Sequence, residues 1–562
     1  MSDLVLDRLA RLIAARASRR AAIGGSAAVA AAIAAEAAAR RDSGGGKRKD
    51  KYKDKDDGNG NGNGKDGGRD RGRDNGNRNG KNRDRANRGQ RNDGKQSRDG
   101  DGENPGAAGP DRTGDGRPAA DCRCGRCQAA CAPVVCERGC EHRTVQAAID
   151  AARPGGVVDI GPGTYRENLS VRRPVMLRAC KPGSVTIANA TPGARAIDVL
   201  DGAEISLQDI AVERRDGAAR GGGIASSGSV SLCGGSTVRK ARNDRGGGIY
   251  MNLYPGDRAR IALSDTASVE GNAADDFGGG ILAYGDIEIT LDDEAAIRGN
   301  TVDSYGGGIA FGNGARLAVG GSAAIEDNAA TADGSASGGG IYADGFSGLP
   351  MSLAIRGSAR LAGNRAAHGG GLYFGGGSGD GRMTVEIGGE ATVRENVAAV
   401  YGGGLMVARA SLLLTGAATV TGNAAKRAGE GAGGGIFVTS EAEGYAPDVS
   451  ALRIEERAAV TGNTAALGGG IVLFGGAGTI AGAADVSGNE APGSGGGILL
   501  NSFDAHMASL RIAGDARVHD NRAGTGGGIY SEDPGNTLTG AAAIRGNAPD
   551  DCAGDLAGSC SG

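Results

Sequence analysis

The chain has no tryptophan, and aromatic residues make up 3% of its 562 positions. Any interior must therefore be aliphatic, built from Ile, Leu, Val and Ala, and the aromatic platforms on which sugar rings stack are scarce. Histidine occurs four times, at His142, His368, His506 and His519, in no recurring set, which argues against a repeated His-based centre. With 15 prolines and no Gly-X-Y period the chain is not a collagen, although glycine fills 108 positions. Long apolar runs are missing too, since the weakly apolar stretch from Ala21 to Ala35 is too short for a comfortable transmembrane span. Nor is there a concentrated basic face of the kind nucleic acid requires. Lys and Arg total 63 against 66 Asp and Glu, and the net charge of −3 combines a basic N-terminus with an acidic remainder.

What the chain does have is one element in eleven copies. Gly-Gly-Gly followed by Ile or Leu begins at Gly221, Gly246, Gly278, Gly306, Gly338, Gly369, Gly402, Gly433, Gly468, Gly495 and Gly526. Successive starts lie between 25 residues (Gly221 to Gly246) and 35 residues (Gly433 to Gly468) apart. Self-similarity at such a period is the mark of stacked supersecondary units. Each unit divides alike: in residues 433–467, GIFV, ALRI and AAVTG read as three short strands separated by Gly, Asp and Asn. Three strands and three turns make one coil of a parallel β-helix, each strand pairing with its counterpart about 4.8 Å away. Alternation along a strand then puts Ile471 and Leu473 inward and Val472 outward. Phosphate-cradling glycine loops occur once, between a strand and a helix, so eleven copies before strands read as a corner that every coil must make.

Two further columns follow from the stacking. Asn recurs after the third strand, at Asn272, Asn300, Asn328, Asn364, Asn396, Asn423, Asn463, Asn489, Asn521 and Asn547. Stacked copies predict an amide ladder along one corner rather than a row of ligand-binding side chains. The second residue after each triple glycine reads Ala225, Tyr250, Leu282, Ala310, Tyr342, Tyr373, Met406, Phe437, Val472, Leu499 and Tyr530. Facing outward, this apolar stripe would dock a partner or glycan unless neighbouring loops cover it. Insertions after the first strand, such as 440–448 and 501–508, should project from one side of the rod.

Ahead of the repeats, TVQAAIDAA places Val145, Ala148, Ile149 and Ala152 at helical spacing, and Pro154-Gly155-Gly156 stops the helix. Short strands VVDI, NLSV and VMLR follow, with Pro162-Gly163-Thr164-Tyr165-Arg166-Glu167 between the first two. This helix over Gln146 to Ala152 with its P-G-T-Y-x-E turn resembles the N-terminal cap and first coils of right-handed parallel β-helix proteins of the pectate-lyase-like superfamily. The expected fold class is thus all-β, a right-handed parallel β-helix solenoid with a short N-terminal capping helix, over 142–549 (first coils 142–220, GGG-I/L repeats 221–549). A low-complexity segment should precede it: 42–120 is almost wholly Gly, Asn, Asp, Lys and Arg, has nothing apolar to bury, and reads as a disordered spacer.

Residues 1–41 carry Arg19-Arg20, the apolar run and Ala37-Ala38-Ala39. They resemble a bacterial twin-arginine export signal, although Ala21-Ala22 stands where bulky apolar residues are usual. Export would place the chain outside the cell or on its surface, where disulfides persist. In 121–141 the candidates are Cys122, Cys124, Cys127, Cys131, Cys136 and Cys140, whose spacings suit a disulfide knot better than a zinc site. Cys552 and Cys560 would tie a cap over 550–562, while Cys180 and Cys233 stand apart. No anchor follows, and the chain resembles repeat-rich surface β-helix proteins without the translocation barrel of autotransporters.

Family resemblance also says where catalysis would lie. Pectate-lyase-like enzymes use Arg-x-Pro-x-x-Arg, but after Arg172 and Pro174 the second Arg is replaced by Leu177. His368 in Ala-His-Gly is not the Gly-His-Gly of polygalacturonases. Acid pairs at Asp275-Asp276, Asp292-Asp293 and Asp550-Asp551 are of the type that does acid–base work or, with calcium, metal binding. Neighbours on a strand face opposite ways, and in turns they meet water. No catalytic, cofactor or metal residue is therefore assigned; calcium is the only cofactor the resemblance brings. The expectation is a monomeric secreted or cell-surface interaction rod that meets a polysaccharide or surface partner through lateral loops. The alternative is an extracellular lyase or glycoside hydrolase acting on an acidic glycan.

Overall fold

A computed structural model describes residues 131–215, 217, 220–345, 349–375, 383–440, 451–502, 506–540 and 544–556. The export segment, the spacer, Cys122, Cys124, Cys127 and Cys560 lie outside the described residues. The described chain is a parallel β-solenoid. One coil runs Ile281–Tyr284, Asp286–Leu291, Ala296–Arg298 and Thr301–Val302, and each strand pairs in parallel with its equivalent one coil on. Sheets I, II and III, numbered in that order from the triple glycine, hold fourteen strands each, and sheet IV holds ten.

Sheet IV is the departure from three strands per coil. Its strands are as short as two residues and follow the Asn corner. They begin only at Arg242–Arg245. The second residue after Asn is buried in coil after coil: Ala274, Val302, Ala330, Ala366, Ala398, Ala425, Ala465 and Ala491. That Asn-x-small pattern was the available signal for a fourth side.

The bore is mostly aliphatic, with the Phe311 and Phe374 rings enclosed in it. Ile281, Ile309, Ile341, Leu372, Leu405, Ile436, Ile471 and Ile498, the residues that follow the glycines, are at most 1% exposed. Ile471 and Leu473 point into this core, and Val472 points outward. The outward stripe is not a docking face, however. Tyr342, Met406, Phe437 and Val472 are at most 2% exposed in a second core, which also includes Tyr401 and Ala432, residues that immediately precede a triple glycine. Sheet IV and the turn after it thus cover the stripe. Neighbouring rings run through this second core: Tyr342 stacks on Tyr373 at 5.3 Å, and Tyr305 meets Tyr342 at 4.8 Å and Tyr401 meets Phe437 at 5.0 Å in tilted pairs.

The Asn column is the ladder its period predicts. Each Nδ2 donates to the Oδ1 of the next Asn, as from Asn364 to Asn396 (2.9 Å) and from Asn396 to Asn423 (3.0 Å). Its second proton goes to a sheet III carbonyl one coil back, Leu361 for Asn396. Each Oδ1 also accepts the preceding Asn's backbone N–H, so these buried amides are fully satisfied. Ala241 N–H starts the column on Asn272, and Asp551 ends it by accepting both the N–H and the Nδ2 of Asn547.

At the N-terminal end α1 (Val145–Ala151) closes the bore with Val145, Ala148 and Ile149. Thr144 caps it, and Glu167 accepts the N–H groups of Val145 (2.8 Å) and Gln146 (3.0 Å); Glu167 follows Gly163–Arg166, which is not a turn but the first strand of sheet III. Cys136 bonds Cys140, but Cys131 bonds Cys180 across 49 residues, tying the segment before the helix to the first coils. Spacing alone left Cys180 outside the knot. Cys233 is a buried thiol, and Cys552 is disulfide-bonded.

Candidate functional site

The acid pairs are occupied by the scaffold. Asp275 pairs with Arg220 and Arg242, and Asp276 with Arg245 at 2.9 Å. Asp550 accepts the N–H of Gly526 (2.7 Å), one residue before Asp551 ends the Asn column. Asp292 accepts from Asp293 N–H, and Asp293, left-handed at φ 56°, accepts from Asp265 N–H at 3.1 Å. Among the described residues no three His, Cys, Asp or Glu side chains form a group that could hold a metal ion. Arg172 meets Asp201 at 2.7 Å on an exposed face, and His368 is buried against Tyr401. His519 lies between Asp520 (2.7 Å) and Asp485 (3.0 Å). Burial lowers its pKa, but these two carboxylates outweigh that and leave it raised.

Two surfaces remain. The first is a groove of about 730 Å³ on the outer face of sheet II. Its floor is Ser231, Ala262, Thr290, Ala318 and Ala354, one residue per coil in register, and Asp265, Asp292 and Asp293 form one wall. Arg356 stands at one end, held by Glu386 through two hydrogen bonds of 2.9 and 2.7 Å.

The second surface is the edge where sheet I turns into sheet II; of the two insertions, 441–448 and 503–505 lie outside the described residues. Among the described residues four large hydrophobics are exposed, and three lie on this edge: Tyr254 (81%), Leu349 (49%) and Met507 (46%). In the coil of Leu349 this edge also holds a buried acid. Asp344, at the end of Ile341–Asp344, is 7% exposed and accepts the Tyr342 hydroxyl at 2.8 Å. The residues paired with it in adjacent coils are Gly312 and Gly375. A Cβ on Gly312 would lie 2.4 Å from the Tyr284 ring, and one on Gly375 2.9 Å from the Tyr373 ring, so glycine there makes room for tyrosines. Burial raises the Asp344 pKa to about 6, against the opposing pull of Tyr342 and Arg409. Burial, with Asp344 nearby, also holds Tyr284 and Tyr342 above the usual phenol range.

This acid costs stability. With a folded pKa of about 6 against 3.8, its contribution is fully present below 3.8 and is lost as pH rises through 6. At ~1.4 kcal/mol per pKa unit the loss is about 3 kcal/mol. Asp344→Asn, which still accepts from Tyr342, is expected to raise the thermal midpoint at pH 8 and leave it unchanged at pH 3.5. Equal effects at both pH values would show that ionisation is not the cause.

No family model, curated protein or solved structure matches this chain. No described helix is long and apolar enough to cross a membrane.

Proposed function

We propose that this chain is a non-catalytic β-helix of the pectate-lyase-like type, exported to the cell surface or beyond. There it acts as an interaction rod that holds a polysaccharide or surface partner on its loop edge. The observation that carries this reading is that, among the described residues, three of the four exposed large hydrophobics, Tyr254, Leu349 and Met507, lie along one edge of the rod, the first and last of them eight coils apart. The Cys131–Cys180 and Cys136–Cys140 bonds support an oxidising compartment, and the paired arginines at Arg19-Arg20 support export. Among the described residues the three acid pairs are engaged in scaffold hydrogen bonds and ion pairs, which weighs against an enzyme. The sheet II groove gives the second reading, a glycan lyase or hydrolase, because Asp265, Asp292 and Asp293 line it.

Binding of the full chain to an array of acidic, neutral and amino-sugar polymers and of cell-wall fragments separates the two. The triple variant Tyr254→Ser, Leu349→Ser, Met507→Ser is expected to lose at least tenfold in binding at unchanged thermal midpoint, and Asp292→Asn to bind as before. Retention by the triple variant with loss in Asp292→Asn, or turnover of any polymer, would move the function to the groove.

A further inference from the structure

The last coils are tied together by a histidine held between two carboxylates. His519 ends the strand Arg517–His519, which lies in sheet III between Asp485–Ser487 and the final strand Ile544–Arg545. Its Nδ1 is 2.7 Å from Asp520, and its Nε2 is 3.0 Å from Asp485 one coil back. Ionised carboxylates only accept, so each of these bonds needs a proton on the ring nitrogen. A neutral imidazole has one N–H and serves one carboxylate. The imidazolium has two and serves both. The geometry thus defines a charge state as well as a contact, and no other histidine among the described residues stands between two carboxylates.

Position gives the contact its reach. Arg517 meets the same Asp485 oxygen at 3.3 Å, and the other Asp485 oxygen is enclosed without a hydrogen-bond partner, so the charge of this acid rests on Arg517 and His519. Asp520, left-handed at φ 54°, leads directly into the Asn corner. The next residue, Asn521, donates to Asn547, and Asn547 donates to Asp551 at the end of the column. The ring therefore fastens the coil of Asp485 to the coil that carries the last rungs of the ladder. Arg545 follows His519 in register on the final strand and opposes its charge. Beyond the Asn corner, Glu490 and Arg522 lie in register with each other.

We propose that His519 is a proton-operated clasp on the C-terminal coils, closed while the imidazolium bridges Asp485 and Asp520 and loosened when the ring becomes neutral. Its pKa in the folded chain is raised above the usual 6.5, so the contribution of the bridge is fully present below 6.5 and is lost as pH rises through the folded value. The neutral ring keeps one partner. Asp520, 74% exposed, turns to water, and Asp485 retains Arg517. The clasp loosens rather than breaks, on the scale of one partly exposed ion pair, or about threefold in an equilibrium constant. Coils of a solenoid interact with their neighbours alone, so the effect stays at this end of the rod. Its direction is that of Asp344 in a separate coil: both hold the rod more tightly in mild acid than in alkali. The clasp does not depend on which surface meets a partner.

The test is magnetic resonance of the full chain with isotope-labelled histidine, the His519 ring being assigned by its loss in His519→Gln. The ring is expected to titrate above 6.5, with both nitrogens protonated on the acid side. Hydrogen exchange then reads the coils through the amides of Arg517, Asn521 and Arg522, which bond Ala484, Asn547 and Asn489. Corrected for base catalysis, their opening should rise about threefold between pH 6 and pH 8.5. The amides of Asn272 and Asn300, far along the column, should show no such step. In His519→Gln the opening should be equal at both pH values. Asp520→Asn, at a corner whose left-handed φ asparagine tolerates, should stay folded and lower the titration point of the ring. A ring that titrates at or below 6.5, an unchanged titration in Asp520→Asn, no step, or a step that survives in His519→Gln would each overturn the proposal in favour of a histidine that only fills its place in the sheet.

Discussion

Alanine at Gly307 is expected to abolish folding of the coils around it, with a loss above roughly 4 kcal/mol, in the range reserved for backbone clashes and broken cores. Gly307 is the second glycine of its triplet, and an added Cβ would lie 2.3 Å from the Gly339 carbonyl oxygen and 2.6 Å from Ala329 N. Both are backbone atoms. Neither can turn away as a side chain would, because Gly307 N–H bonds the Gly338 carbonyl at 3.1 Å and holds the coils in register. The first glycine, Gly306, suffers differently: its φ of 72° is left-handed, so alanine there adds conformational strain to a steric clash. Soluble yield and urea denaturation of Gly307→Ala against Gly422→Ala provide the check. Gly422 also has positive φ but no atom within 4 Å of its virtual Cβ, so it should lose only the conformational part. Equal losses would show that the triplet is no more tightly packed than an ordinary corner.

The Asn column should be nearly as intolerant. Asn396→Ala strands three buried groups: the backbone N–H of Asn364, one Nδ2 proton of Asn364 and the carbonyl of Leu361. Each unmet buried group costs ~1–3 kcal/mol, so the expected loss is about 5 kcal/mol, before any cavity term. Leu or Ser at 396 cannot restore the pattern, because only a primary amide both donates twice and accepts twice along the axis. Asp is instructive, since Asp551 accepts at the end of the column, where no onward donor is needed. Asn396→Asp would put an acceptor opposite Asn423 Oδ1 and is expected to lose as much as alanine at pH 7. In a solenoid such losses open coils locally before the whole rod unfolds. Denaturation followed by proteolysis should therefore cut first between Asn364 and Asn423.

These two columns were legible because they repeat. Gly-Gly-Gly and Asn recur at one coil's spacing, and any residue that recurs at that spacing must stack on itself. The inward Ile471 and Leu473 were readable for the same reason. Sheet IV was harder to read, although an apolar residue recurs two positions after each Asn, because two-residue strands such as Ala329–Ala330 are too short to show an alternation of their own. Missing that fourth side left the Tyr342, Phe437 and Val472 stripe looking exposed, when the turn bearing Tyr401 and Ala432 lies against it. The Cys131–Cys180 bond was hidden because sequence distance does not encode which coil faces the N-terminal segment. Asp344 reads as an ordinary loop polar in YADG. What marks it is burial, which only the fold supplies.

The molecule therefore divides into columns that build the rod and an edge that departs from them. Hydrogen exchange of the full chain, resolved by residue, tests that division most directly. The backbone amides of Asn364 and Asn396, which donate to the next Asn, and those of Gly279, Gly307 and Gly403, which donate to the next glycine stack, are expected to exchange slowest. Tyr254 and its neighbours on the loop edge should exchange many times faster. Glycine and Asn amides that exchange as fast as those on the edge would contradict the account, since the columns would then not be holding the coils together.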